Sequence, residues 1–393
     1  MPTQPRGRIF TAALLLIAGL GLPAAAQGTA TKKPPKKKAP PAAEKKVEAH
    51  PAAGHVVKGP YLQNPTPTSI VICWVTPEPC KGEVRYGPGR ALKEKAVEAA
   101  DTIYHQVEIK GLTPGTAYSF QVADGDFTGA TGAFETFPAK PDAPFSFVAY
   151  GDTRSGHDVH RKVVGAMAKH GAKFAIHSGD LVESGSSAPQ WDTYFDINKE
   201  FLFKVPLFAT QGNHEHGAKL YFDHLVLPGN EKWYSFRYAN ALFICLDAAT
   251  SPRRDRGQLE FLATSLKENA DAEFVFPFFH NPILTCSTIK DRREDTKDLY
   301  EAWGKIFEDA KVTVAIGGHN HNYQRAEKNG VQYVTSGGGG AGLYAIGDKL
   351  PETKVAVRVN HYSLVTIRGK RARWETFDLA GKTIDSLDLP ARR

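Results

Sequence analysis

Five short apolar runs, each ending in a polar residue, constrain this chain most. Runs this short and this rich in β-branched and aromatic residues predict buried strands. In open α/β sheets, ligands bind just beyond the carboxyl ends of the strands. A single Gly-Asp pair after a strand usually forms a turn. Five strands that each end in a residue able to bind a metal ion instead predict one shared site. The runs with their closing residues are Ser146–Asp152, Phe174–Asp180, Leu207–Glu215, Phe274–His280 and Val312–His321.

The residues at these five ends form a metal-ligand set. They supply carboxylates, imidazoles and one amide oxygen but no thiolate, which suits divalent ions such as Mn, Zn or Fe rather than a structural zinc cage. Two ions about 3.5–4 Å apart can hold a hydroxide between them and clamp both oxygens of a phosphoryl displacement. The expected cofactor is therefore a pair of divalent ions. The candidate ligands are Asp152, Asp180, Asn213, His280, His319 and His321.

A basic segment precedes the predicted folded part. Residues 1–26 have the order of a secretory signal, with two arginines, an apolar run and a small-residue cleavage site; a retained anchor is the alternative. Residues 27–53, rich in Lys, Pro and Ala, predict a charged linker, with electrostatic contact to an anionic envelope as an alternative role. The net charge of +7 is carried by residues 1–50, so we expect no nucleic-acid binding by the folded part. Because residues 1–26 are expected to be removed, we also expect no membrane span in the mature protein.

Residues 54–140 show a β pattern throughout. Apolar alternation recurs about every ten residues between turn residues, which predicts a small sandwich. The stretch resembles a fibronectin type III domain and, with its lead-in Lys58–Ser69, the N-terminal domain of purple acid phosphatases. Cys73 and Cys80 can bridge only if their Cα atoms approach closely, so a disulfide and two free thiols both stay open. The predicted strands are Ser69–Thr76, Gly82–Gly87, His105–Lys110, Ala117–Val122 and Gly132–Thr136.

Residues 143–389 alternate strands with helix-length segments, which predicts a layered α/β fold. The β runs after Gly330 are expected to belong to a second sheet that closes an αββα sandwich. The ordered motifs Gly-Asp, Gly-Asp, Gly-Asn-His-Glu, His and Gly-His-x-His resemble the calcineurin-like metallophosphoesterase superfamily. The predicted helical segments are Asp158–His170, Pro189–Phe203, Gly257–Asn269 and Thr296–Ala310.

This resemblance implies a role for each motif residue. Asp180 bridges the two ions, Asp152 and His321 hold the first, and Asn213, His280 and His319 hold the second. His214 then faces the substrate and protonates the departing alkoxide, which suits an imidazole because both of its protonation states are accessible near neutral pH. Glu215 either supports the ligands from behind or lies at the surface.

The chain departs from the family pattern at two positions. Purple acid phosphatases have a tyrosine three residues after the second Gly-Asp, where this chain has Glu183, so we expect no charge-transfer colour. Other relatives have a histidine ligand where this chain has Arg154. Arg154 is either a phosphate clamp or an outward ion-pairing residue. His160 or Glu183 is then a candidate replacement ligand for the first ion.

Tyr323 and Arg325 follow the last motif, and we expect them at the substrate rim. The sequence as a whole predicts an exported binuclear phosphoesterase acting on small phosphorylated substrates, preferentially phosphomonoesters. A phosphodiesterase using the same site is one alternative. A second is an envelope- or carbohydrate-binding protein whose catalytic domain is impaired, because Arg154 leaves the first ion one ligand short.

Overall fold

The computed structural model describes residues 56–124, 127–248, 255–289 and 296–392. The predicted signal peptide and the linker 27–53 lie outside these ranges. Within them, no helix combines the length and apolar character needed to cross a membrane.

The N-terminal part of the described chain is all β, as predicted. Its strands form one sheet in the order β1-β2-β5 and a second in the order β4-β3-β6-β7, with β8 also paired to β6. Trp74, Phe120 and Phe134 are buried in the core of this domain. The strands are β1 (Lys58–Gln63), β2 (Ser69–Cys80), β3 (Glu83–Pro88), β4 (Glu94–Val97), β5 (Thr102–Lys110), β6 (Ala117–Asp124), β7 (Phe127–Thr128) and β8 (Gly132–Glu135).

Two local features of this domain involve Tyr118 and the cysteine pair. The Tyr118 hydroxyl accepts a hydrogen bond from the backbone N–H of Thr113 at 3.0 Å, the upstream contact that defines a tyrosine corner. The bridge between Cys73 and Cys80 that the sequence left open is not formed. Both residues lie in β2, whose pairing with β5 shifts register between Val75 and Cys80. The fibronectin likeness stays a prediction.

Two larger sheets form the rest of the described chain. The first has the order β11-β10-β9-β19-β20-β21, and the second the order β12-β13-β14-β15-β17-β16-β18. Strands β9 to β11 are parallel to one another, as are β13, β14, β15 and β17. Their bounds are β9 (Phe145–Tyr150), β10 (Ala175–His177), β11 (Leu207–Ala209), β12 (Tyr234–Tyr238), β13 (Ala241–Cys245), β14 (Phe274–Phe278), β15 (Val314–Gly317), β16 (Tyr323–Lys328), β17 (Val331–Ser336), β18 (Thr353–Val357), β19 (His361–Arg368), β20 (Arg371–Asp378) and β21 (Thr383–Pro390).

The helices of this α/β part are short. Most coincide with a predicted segment, whereas the third was not predicted. They are α1 (His157–Met167), which continues as a 3₁₀ turn over Ala168–His170, α2 (Ala188–Leu202), α3 (Lys219–His224), α4 (Arg256–Glu268), a π-helical turn (Tyr300–Gly304) and α5 (Lys305–Asp309).

Alternation along β13 shows how the layers stack. Phe243 and Cys245 belong to the core between the two sheets, where the Phe243 ring stacks on Phe276 at 5.3 Å. Leu242 and Ile244 point the other way and share a core with residues of α4 and α5. Alternate residues of a strand face opposite sides, so one sheet face meets the other sheet and its reverse meets helices. The predicted αββα arrangement is confirmed.

One detail of the predicted sandwich is wrong. The C-terminal β runs were expected in the second sheet, but β19 pairs antiparallel with β9 in the first, with Ser363 opposite Ala149. Only β17 and its neighbours extend the second sheet. The sequence pattern marks β19 as a strand but does not specify the edge against which it pairs.

Candidate metal centre

The six candidate ligands come from the carboxyl ends of two facing sheets. Asp152, Asp180 and Asn213 follow β9, β10 and β11 of the first sheet, and His280, His319 and His321 follow β14 and β15 of the second. The carboxylates and the amide thus come from one sheet and the imidazoles from the other. Neither sheet alone carries the whole set, so the centre forms only when the sandwich closes.

The backbone is strained where the loops leave the strands. Asp152, Asp180 and His319 have φ values of 57°, 56° and 65°, in the left-handed region that costs a residue with a Cβ about 1–2 kcal/mol. Glycine permits the close approach of neighbouring loops: a Cβ on Gly212 would lie 2.0 Å from Oδ1 of Asp180. Strain held in place by surrounding structure is typical of functional sites.

The larger group of ligand atoms surrounds Nε2 of His280. This nitrogen lies 3.0 Å from Oδ1 of Asn213, 3.1 Å from Nδ1 of His319 and 3.3 Å from Oδ1 of Asp180. Ligand atoms of Asp180, His280 and His319 all lie within 4.8 Å of one another. We call these four residues the Asn213 side of the centre.

The second group shares Asp180. Ligand atoms of Asp152, Asp180 and His321 also lie within 4.8 Å of one another, and Nε2 of His321 is 3.4 Å from Oδ1 of Asp152. We call this group the Asp152 side. A carboxylate common to both groups is the feature that permits two ions to sit close together.

Hydrogen bonds from the far side of each ring fix which imidazole nitrogen faces the centre. The Nδ1–H of His280 donates to the Ser178 carbonyl at 2.8 Å, and that of His321 donates to the Gly342 carbonyl at 2.8 Å. Both rings therefore direct Nε2 towards the centre, the orientation common among metal-ligating histidines. Sequence reasoning missed Tyr344, whose ring stacks on His321 at 4.0 Å.

Burial and neighbouring charges shift the pKa values of the candidate ligands. Burial favours the neutral form of Asp152, but a hydrogen bond to His321 and the nearby imidazoles hold the pKa of this carboxyl below its ordinary value. Burial lowers the pKa of His280, yet the carboxylates of Asp180 and Asp152 outweigh it and raise that pKa overall. Both shifts reflect the attraction between the buried carboxylates and the imidazoles beside them.

Glu215 lies behind the centre and is buried. Its Oε2 accepts the backbone N–H of Asp180 at 2.9 Å and of Gly212 at 2.7 Å, and its Oε1 accepts those of Leu181 and Val182 at 2.8 and 3.2 Å. One carboxylate therefore ties the Asp180 loop to the Asn213 loop. Of the two roles left open by the sequence, the structure favours support of the ligands over a surface position.

Arg154 points into the centre rather than outward. Its Nε donates to Oδ2 of Asp180 at 3.2 Å and its Nη1 to Oε2 of Glu183 at 2.6 Å, while its Nη2 lies 3.5 Å from Nε2 of His321. Glu183 itself is outside both ligand groups. The outward ion-pairing role is excluded by these contacts, because two of them involve ligand atoms.

His214 lies beside Arg154, at the opening of the centre. Its Nδ1–H donates to the Glu183 carbonyl at 2.6 Å, and its Nε2 lies 3.8 Å from Oδ2 of Asp180. About a fifth of the side chain is exposed, at 22%. Nε2 is thus directed towards the ligands, and the side chain is partly exposed to solvent.

Three predicted site residues lie elsewhere. His160 packs between helices, with Nε2 3.3 Å from Nδ2 of Asn198, and is in neither ligand group. Tyr323 and Arg325 are buried, and both donate to Asp385: Tyr323 through its hydroxyl at 2.7 Å, and Arg325 in bidentate fashion at 2.7 and 3.1 Å. Their assignment to the substrate rim is wrong, because they join β16 to β21 inside the fold.

Further residues support the loops that carry the ligands. The His177 Nε2–H donates to Thr153 Oγ1 at 3.1 Å, and that hydroxyl donates to the Leu181 carbonyl at 3.0 Å. Burial lowers the pKa of His177 to about 3, which keeps this ring neutral. Gly337 has no room for a side chain, since a Cβ there would lie 2.3 Å from the Asn320 carbonyl oxygen. The glycine run beginning there therefore serves close packing.

Carboxylate and imidazole donors in two groups with one shared member fit a pair of divalent ions. The fold and this donor set define a metallophosphoesterase. Comparison with known proteins extends the assignment to both domains. Residues 145–323 match the calcineurin-like phosphoesterase family, and residues 59–137 match the family "Purple acid Phosphatase, N-terminal domain".

Individual relatives agree with these family matches. The chain is 22% identical to probable purple acid phosphatase 20 of Arabidopsis thaliana, over 79% of this chain and 81% of that one. It is 23% identical to Fe(3+)-Zn(2+) purple acid phosphatase 12 of the same plant, over 71% and 65%. A purple acid phosphatase from yellow lupin seeds shares the fold with a TM-score of 0.75 and 17% identity, over 84% of this chain and 74% of that one.

The chain therefore has a calcineurin-like metallophosphoesterase domain preceded by a purple acid phosphatase N-terminal domain. It is a metal-dependent phosphatase with a binuclear site.

Proposed function

We propose that this protein is an exported phosphomonoesterase whose six candidate ligands would hold two divalent ions, with the Asp180 carboxylate available to both. The observation that carries the proposal is the shared position of Asp180, whose carboxylate belongs to both ligand groups. When bound, the ions supply the activation of water and the neutralisation of phosphate charge that hydrolysis requires.

The chain's own residues then bind the substrate and move one proton. Arg154 presents a planar fork of N–H donors at the centre, which matches two oxygens of a phosphate. His214 holds its Nδ1 proton against the Glu183 carbonyl, so its Nε2 is free to carry a second proton. In the imidazolium form, Nε2–H donates that proton to the oxygen of the leaving alcohol as the P–O bond breaks.

The preference for monoesters is supported by the position of Arg154. Its guanidinium reaches a ligand atom of Asp180 at 3.2 Å, and a planar fork of donors matches a phosphate that keeps two free charged oxygens. We expect hydrolysis of p-nitrophenyl phosphate to exceed that of bis-p-nitrophenyl phosphate at least tenfold in kcat/KM. The reverse ratio would establish the phosphodiesterase alternative.

Glu183 predicts the spectrum of the loaded enzyme. Its carboxylate, at the tyrosine position of purple acid phosphatases, pairs with Arg154. We therefore expect two ions per chain by elemental analysis and no visible absorption band. A charge-transfer band would contradict this assignment.

Export rests on residues 1–26, whose pattern is that of a cleaved signal. N-terminal sequencing of the protein purified from its native host is expected to begin at Gln27. A first residue within 1–26 would contradict cleavage at the predicted position.

A further inference from the structure

The two sides of the metal centre offer unequal numbers of ligands. The Asn213 side combines one carboxylate, one amide oxygen and two imidazoles, whereas the Asp152 side has two carboxylates and one imidazole. Asp180 is counted in both groups. Within the described residues, the Asp152 side therefore adds only Asp152 and His321 to the shared Asp180.

A positive group already contacts that weaker side. The guanidinium of Arg154 donates to Oδ2 of Asp180 at 3.2 Å, and its Nη2 lies 3.5 Å from Nε2 of His321. Both atoms are ligand atoms of the Asp152 side. The Arg154 side chain is 12% exposed and that of Asp180 is 1% exposed, so water screens this pair little.

A guanidinium and a metal ion cannot both neutralise these atoms without repelling each other. Metal–nitrogen bonds are about 2.0–2.1 Å long, so an ion on Nε2 of His321 would lie close to Nη2 in its present position. Repulsion between charges at such separations is strong where water is scarce. The guanidinium must therefore move away before the Asp152 side binds an ion tightly.

Glu183 provides the place to which the guanidinium can withdraw. It accepts from Nη1 of Arg154 at 2.6 Å and is 44% exposed, so it lies on the solvent side of the pair. At the middle of the Asn213 side, the polar contacts of His280 are with Ser178, Asn213, His319 and Asp180, and none of these is an arginine or a lysine.

We propose that Arg154 is an internal competitor for the metal ion of the Asp152 side, with Glu183 as its alternative partner. The two ions then bind in order: the Asn213 side fills first and tightly, and the Asp152 side fills second and weakly. Because Arg154 is also the phosphate clamp of the proposed function, on which this inference rests, displacement of the guanidinium by the second ion frees it for substrate. Phosphate esters then bind best to the fully loaded centre.

Isothermal titration of metal-free protein with Mn²⁺ tests this order of binding. We expect two steps in the unsubstituted protein, with Kd values at least tenfold apart. Arg154→Gln removes the charge but keeps a polar, uncharged side chain, and we expect it to tighten the weaker step at least tenfold while the tighter step changes less than threefold. Arg154→Lys retains a positive charge and is expected to keep the weaker step weak. Mn²⁺ electron paramagnetic resonance checks occupancy independently, because neighbouring Mn²⁺ ions couple magnetically.

Arg161→Ala is the matched control, because Arg161 is an arginine on α1 that pairs with Asp196 at the surface. Circular dichroism confirms that each variant is folded. A weaker step that changes less than threefold in Arg154→Gln, or two equal steps in the unsubstituted protein, would overturn the competition. Two ions bound in the predicted tight and weak steps, without phosphatase turnover, would contradict the proposed function instead. Binding of a single ion by both the unsubstituted protein and Arg154→Gln would contradict the competition and the proposed function together.

Discussion

The Asn213 side and the Asp152 side of the metal centre share Asp180 but differ in what else surrounds it. On the Asn213 side, the Asn213 amide oxygen and Nδ1 of His319 each lie within 3.1 Å of Nε2 of His280. On the Asp152 side, Arg154 contacts the same carboxylate and the His321 ring. The difference shows how one substituted position turns two similar ion sites into unequal ones without changing the sheets that carry them.

Substitution of the shared carboxylate removes what the two sides have in common. Asp180→Asn is expected to abolish binding of the second ion, weaken the first, and lower kcat with p-nitrophenyl phosphate by about a thousandfold or more, since the ions supply several kcal/mol of transition-state stabilisation. Elemental analysis and steady-state kinetics measure both. Retention of two ions with near-normal turnover would disprove the bridging role.

Paired alanine substitutions on opposite sides separate the two ions. His280→Ala is expected to weaken the tighter ion by about a hundredfold or more, because loss of a ligand exceeds the 10–100-fold effect of outer contacts. His321→Ala is expected to leave that ion in place and eliminate the weaker one. Titration with Mn²⁺ distinguishes the two variants, and identical binding curves would show that the sides are equivalent.

Glu215 connects the loop that carries Asp180 to the loop that carries Asn213, so its substitution tests whether these contacts position the two ligands. Glu215→Gln keeps the shape, but its amide N–H₂ group faces backbone donors that need an acceptor. We expect a free energy of unfolding lowered by about 2 kcal/mol and a turnover lowered about tenfold. Urea unfolding and kinetics measure these changes. An unaffected variant would show that the four N–H contacts do not position Asp180.

The smallest effect on the metal centre is expected from Arg325→Met. This change breaks a buried ion pair with Asp385 that lies apart from both ligand groups. We expect the free energy of unfolding to fall by about 3 kcal/mol, with metal affinity and kcat changed less than twofold. Chemical unfolding with a parallel Mn²⁺ titration measures both. A tenfold loss of turnover in the folded variant would return Arg325 to the substrate site.

Much of the fold follows from local pattern. Each strand that carries a ligand is short, apolar and closed by a polar residue, and strands of a sheet deliver their carboxyl ends to a common edge. The pairing of β19 with β9 was not predictable, because antiparallel pairing across more than 200 residues leaves no local mark on either run.

The sequence predicts the site residues whose role depends on their place at the end of a strand. It does not predict those whose role depends on the direction of the side chain. The six ligands stand at strand ends, which the pattern marks. Tyr323 and Arg325 also follow a ligand motif, but they lie on β16, where they turn inward to Asp385. The inward direction of Arg154 and the burial of Glu215 likewise depend on neighbouring loops, which a linear pattern does not describe.

Anomalous X-ray diffraction from crystals grown with Mn²⁺ tests the central claim most directly. The account predicts two peaks about 3.5–4 Å apart on either side of Asp180, with the weaker peak beside Asp152 and His321 at limiting Mn²⁺. A single peak at saturating Mn²⁺, or two peaks that do not share Asp180, would contradict it.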